Sequence, residues 1–167
     1  MRSLKQKTIP VLAVSMAVSA APALRAEAPS GLGLGAMVGE PTGLTAKWWL
    51  DNDAAIDVGA AWALSDDDEF QLHVDYLVHR HDWVSIPDLQ AYTPVYFGVG
   101  ARVKFEEDDR GKDDDDVVGI RFPVGIALRP HDTPLEFFAE LVPIVDVAPD
   151  SEFDLNAAVG GRYYFGK

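Results

Sequence analysis

Val95-Tyr96-Phe97-Gly98-Val99-Gly100-Ala101-Arg102-Val103-Lys104-Phe105 carries an apolar residue at every odd position and glycine, tyrosine or a base at every even one. Successive side chains of a strand leave it on opposite sides, so a period of two predicts an extended segment with one apolar and one polar face. The same alternation recurs in both directions. Towards the N-terminus it runs through Leu32 to Val38, Leu44 to Leu50, Ile56 to Leu64 and Phe70 to Val78. Towards the C-terminus it runs through Val118 to Leu128, Leu135 to Leu141 and Phe153 to Phe165. Turn-rich stretches separate these runs: Gly39 to Gly43, Asp51-Asn52-Asp53, Ser65 to Glu69, the long Arg80 to Ala91 connection, Glu106 to Asp116, Pro130 to Pro134 and Ala148 to Glu152. Eight strands and no helical pattern of useful length follow. An even number of antiparallel strands about ten residues long closes into a barrel without an exposed edge.

The two faces differ sharply. From Leu32 to Phe165 the apolar face holds no charged residue or histidine. The opposite face holds Lys47, Arg102, Lys104, Arg121, Arg129 and Arg162 together with Asp57, Asp75, Glu136, Glu140, Asp146 and Asp154, which makes a lumenal charge network the first candidate site. Two packings satisfy this split. A secreted soluble barrel would turn the apolar face inward around an apolar ligand; an outer-membrane barrel would turn it towards lipid and fill its lumen with charge.

Three features favour the membrane. Trp48, Trp62, Tyr76, Phe105, Phe137, Tyr163 and Phe165 lie on the apolar face near strand ends, where interfacial girdles form. The polar face is rich in glycine, at Gly33, Gly35, Gly59, Gly98, Gly100, Gly119, Gly125 and Gly160, which makes room for long side chains in a narrow lumen. The N-terminus reads as a secretory signal: Arg2, Lys5 and Lys7 precede a small apolar run from Val11 to Ala21, and cleavage is expected after Ala23, or as late as Ala28. Residues 30–165 then form the barrel. Removing the first 23 residues takes three bases and no acid with them, so the chain's charge moves from −13 to −16. This balance argues against a nucleic-acid partner. With no cysteine among 167 residues, thiolate catalysis, disulfides and Cys-type zinc sites drop out.

A resemblance adds to this reading. Gly39-Glu40-Pro41-Thr42-Gly43-Leu44-Thr45-Ala46-Lys47-Trp48-Trp49 opens a series of segments that continues with Asp75-Tyr76-Leu77 and Tyr96-Phe97-Gly98-Val99-Gly100. Gly119-Ile120-Arg121-Phe122-Pro123-Val124-Gly125, Phe138-Ala139-Glu140 and Gly161-Arg162-Tyr163-Tyr164-Phe165 complete it. Together they resemble a poorly characterised family of small eight-stranded outer-membrane barrels of Gram-negative bacteria, similar in architecture to the OmpA transmembrane domain and OmpX. The resemblance implies a fold and a location, export through the periplasm, outer-membrane lipid as surroundings and no common reaction. The terminal Tyr163-Tyr164-Phe165 resembles the aromatic-ended strand read by the barrel assembly machinery, from which this chain departs by adding Gly166 and Lys167.

Function is less legible. Eight strands enclose a space that side chains can fill, so the lumen is expected to be plugged by salt bridges rather than open as a small pore. Lys47 is expected opposite Asp57, and Glu140 level with Arg162. A lipid-modifying enzyme would need a nucleophile beside a base. Here Ser65, Ser85 and Ser151 fall in turns while His73 and His79 face the lumen, so no catalytic residue and no cofactor are expected. His79, His81 and Asp82 have no ligand spacing specific to a metal. The acidic loops Ser65 to Glu69 and Glu106 to Asp116 are expected on the outer rim, where Asp113, Asp114, Asp115 and Asp116 could meet divalent cations or a basic surface partner.

Overall fold

The computed structural model describes residues 31–62, 69–86, 89–106 and 116–166. The segment read as a signal and most of both acidic loops lie outside them. Ten strands make up the regular structure: β1 (Leu32–Gly39), β2 (Thr42–Trp49), β3 (Ala54–Trp62), β4 (Glu69–Arg80), β5 (Ala91–Tyr92), β6 (Val95–Glu106), β7 (Val117–Arg121), β8 (Val124–Pro130), β9 (Leu135–Ala148) and β10 (Glu152–Phe165). All pairings are antiparallel, and no helix occurs among the described residues. β1 to β4 pair in sequence, β4 pairs with β6, β6 with both β7 and β8, and both of these with β9; β9 pairs with β10, and β10 returns to pair with β1.

The count of ten replaces the expected eight for two local reasons. The run read as a single strand from Val118 to Leu128 divides at Phe122-Pro123 into β7 and β8. Its register is nonetheless continuous. Arg121 and Val124 face Gly100 and Phe97 on one side, and Ile144 and Leu141 on the other, so no residue is inserted. Proline lacks the N–H that would continue the ladder. The second addition is β5, two residues of the long connection that pair with the end of β8.

Burial follows the alternation but in the inverse sense of a soluble domain. Along the strands the apolar face is exposed, including Leu34, Val58, Val74, Val99, Ile120 and Leu141, while Lys47, Asp57, Arg102, Arg121, Glu136 and Arg162 are buried. An apolar ligand chamber is therefore excluded, because the side chains that would line it point away from the interior. The interior is not wholly polar either. Met37, Ala61, Leu77, Tyr96, Ala127, Phe138 and Ala158 form one buried cluster, and Trp49, Ala55 and Tyr164 a second. These residues sit on the face assigned to charges and pack among them.

Glycine makes this filling possible. Gly59 faces His73, Gly100 faces Asp75, Gly125 faces Tyr96 and Gly160 faces Phe138 across adjacent strands. At each of these glycines a Cβ would run into the side chain opposite. The tight turn between β2 and β3 is held by Asp51, whose carboxylate accepts from the backbone N–H groups of Asp53 and Ala54 at 2.7 and 2.8 Å. Those two donors hold the exposed Asp51 carboxyl below the ordinary carboxylate range.

Candidate functional site

Nine of the twelve expected lumenal charges gather into three groups, and Lys104, Arg129 and Glu140 lie outside them. In the first group, β2, β3, β9 and β10 bring Lys47, Asp57, Glu136 and Arg162 together. Lys47 Nζ and Arg162 Nη1 both donate to Glu136 Oε1 at 3.1 Å. Arg162 also bonds Asp57, and Thr45 Oγ1 links the two by accepting from Arg162 and donating to Asp57 at 2.9 Å. The Arg162 guanidinium lies 4.0 Å from the Phe138 ring centroid. One face is thus capped by an aromatic quadrupole and its edge by carboxylates.

The second group is Arg121, whose Nε donates to both oxygens of Asp75 at 3.0 and 3.2 Å. The third joins Arg102 to Asp146 through two bonds of 2.6 and 3.1 Å, and to Asp154 through a third of 2.9 Å. A bulge between Val118 and Gly119 adjusts β7 against β9 beside this pair. Lys104 is half-buried near the end of β6. Arg129 lies near two aromatic rings, its guanidinium carbon 5.4 Å from the ring centroid of Trp49 and 5.8 Å from that of Tyr92.

Two pairings expected from sequence have different outcomes. Lys47 does face Asp57 in the β2–β3 register. Glu140 does not come level with Arg162: it faces Ala158, and Glu136 faces Arg162. The Glu140 carboxylate instead accepts the Tyr96 hydroxyl at 2.9 Å. The β9–β10 turn is centred two residues earlier than expected, which moves every cross-strand partner by four.

Thr45, Trp49, Tyr96 and Tyr164 complete the network, although charge alone did not mark them. Trp49 Nε1 donates to the Tyr164 hydroxyl at 3.1 Å, and Lys47 Nζ lies 2.9 Å from His79 Nε2. Their signal in the sequence is position, since each lies on the inward face of its strand. The seven expected interfacial aromatics all face outward and are exposed. Trp62, Phe70 and Phe105 form one rung across β3, β4 and β6, with ring centroids about 6 Å apart. His81 lies against the Asn52 carbonyl at 2.8 Å, its ring centroid 6.4 Å from that of His79. Among the described residues no cluster of three metal-ligating side chains occurs. Asp116 is described and exposed, whereas Asp113, Asp114 and Asp115 lie outside the described residues.

These interactions suit a rigid, ion-paired interior. Of the three serines weighed in the sequence, Ser85 lies in the β4–β5 connection and Ser151 in the β9–β10 turn, while Ser65 lies outside the described residues.

No family model matches the chain, and no curated protein does. Among solved structures it is similar to the N-terminal β-barrel domain of Pseudomonas aeruginosa OprF, with a TM-score of 0.60 and 10% identity over 83% of this chain and all of that domain. At that identity the similarity is one of fold, and the fold it shows is a β-barrel's.

Proposed function

We propose that the chain is a non-catalytic outer-membrane β-barrel with a structural or surface-interaction role, its lumen closed by ion pairs. The inverted burial carries this reading. Leaving a continuous apolar wall exposed while burying arginines with their carboxylates suits a hydrocarbon surrounding and no aqueous one. The barrel fold of the OprF domain supports the same reading, and the outward aromatics near strand ends fit the two interfaces of a bilayer. With β1 rising from the periplasm, the rim bearing Gly31 and Gly166 is the periplasmic one. The strand ends at Trp62, Glu69, Glu106 and Val117 then stand on the outer side, where carboxylates would meet divalent cations or a basic partner.

Planar bilayers test the closed lumen. The folded chain is expected to give no steady conductance steps. Steps that change size when Arg121 or Glu140 is neutralised would replace the closed interior with a pore. Fractionation tests the location: recovery in carbonate-washed outer membranes is expected, and release into the soluble periplasm would overturn the membrane assignment.

A further inference from the structure

Arg129 is only 4% exposed, and all three of its guanidinium nitrogens lack a hydrogen-bond partner. Among the described lumenal arginines it alone has this condition: Arg102 and Arg162 are satisfied, and Arg121 is held by Asp75 through Nε. A buried guanidinium without an acceptor is costly, so its surroundings should reveal what answers it.

Trp49 and Tyr92 lie within 6 Å of its guanidinium carbon and stabilise its charge without accepting its in-plane N–H groups. Glu136 is the carboxylate acting on it. Its Oε1 is already shared by Lys47 and Arg162, while its Oε2 is unpartnered. Glu136 is thus shared among three cations, Lys47, Arg129 and Arg162, and its hydrogen bonds go to Lys47 and Arg162. Arg121 also has a free pair of Nη atoms but is anchored through Nε, whereas Arg129 has none of its three nitrogens bonded, and its planar fork suits a planar or tetrahedral oxyanion. Tyr92 belongs to the short β5, beside His131 of the β8–β9 turn at a ring separation of 4.4 Å. Both residues are exposed on the rim that bears the chain ends.

We propose that Arg129, near Trp49 and Tyr92, binds a small oxyanion, a carboxylate or phosphate group, at this mouth of the barrel. The site lies near the end of β8, opposite Tyr92, and is independent of whether the lumen conducts.

The test uses the full chain folded in octyl glucoside, with inorganic phosphate as the probe. The indole N–H resonance of Trp49, identified by its loss in Trp49→Phe, is expected to shift saturably. In Arg129→Gln, with folding checked by heat-modifiable gel migration, the apparent affinity should fall at least about tenfold. No saturable shift in the original chain, or an unchanged affinity in the variant, overturns the site. If Arg129→Gln does not fold, Arg129→Lys keeps the charge and removes the fork; weakened binding is expected, and undiminished binding overturns the assignment. Micelles doped with phosphatidylglycerol and free of phosphate separate the sources. The same shift there assigns a lipid headgroup, and its absence assigns a soluble anion.

Discussion

The smallest residues govern how the largest are seated. Gly59 faces His73, and the three atoms nearest a Cβ built at Gly59 all belong to the His73 ring. Their conflict is therefore between two side chains and involves little else. Gly59→Ala is expected to destabilise the barrel by about 1–3 kcal/mol, the usual cost of overpacking a filled interior. In a His73→Ala background the same substitution should cost under about 0.5 kcal/mol, because the obstructing ring is gone. Urea unfolding in lipid vesicles measures both, and equal costs in the two backgrounds would show that Gly59 serves some other purpose. At this scale the sequence shows that glycines line the charged face and not which side chain each accommodates. That second fact depends on register, which no single residue encodes.

At the scale of strands, alternation identified the inward and outward faces of every strand but the two-residue β5, and only the hydrogen-bond pattern could divide β7 from β8. Phe122 and Pro123 keep the period of two, so the division has no hydropathy signature. It is one missing donor: Gly98 N donates to the Pro123 carbonyl at 2.9 Å, but Pro123 has no N–H to return to Gly98. Pro123→Ala supplies that donor. Amide exchange is expected to show a protected N–H at position 123, as slow as its neighbours, and β7 and β8 becoming one strand. Stability should change little, since about 0.5–1.5 kcal/mol from a new hydrogen bond is offset by the added freedom of the unfolded chain. A freely exchanging amide would mean that more than proline chemistry separates the two segments. The same reasoning explains why partner identity was partly hidden. Asp51-Asn52-Asp53 is a short, well-marked turn, and Lys47 faces Asp57 as its centre requires. The turn after Ala148 is less sharply marked, and a two-residue error there is enough to give Arg162 to Glu140 instead of Glu136.

Across the whole molecule, charge and apolar surface are sorted into an interior and a wall, and the medium beyond that wall determines what a misplaced charge costs. Leu141 is exposed near the middle of β9, whereas Phe153 is exposed near the start of β10, beside the loop end of the barrel. If hydrocarbon surrounds the wall, Leu141→Arg should lower the free energy of unfolding by about 2–4 kcal/mol, and Phe153→Arg by about 0–1 kcal/mol, because the penalty depends on depth. An aqueous surrounding predicts a small effect at both sites, as at ordinary exposed positions. Neither substitution touches the lumenal ion pairs, since both side chains point away from them, so the difference reports the surroundings rather than the interior. Unfolding midpoints of the two variants in vesicles supply the comparison. Equal shifts would remove the depth dependence on which the membrane assignment stands, even if the ten-strand architecture were intact.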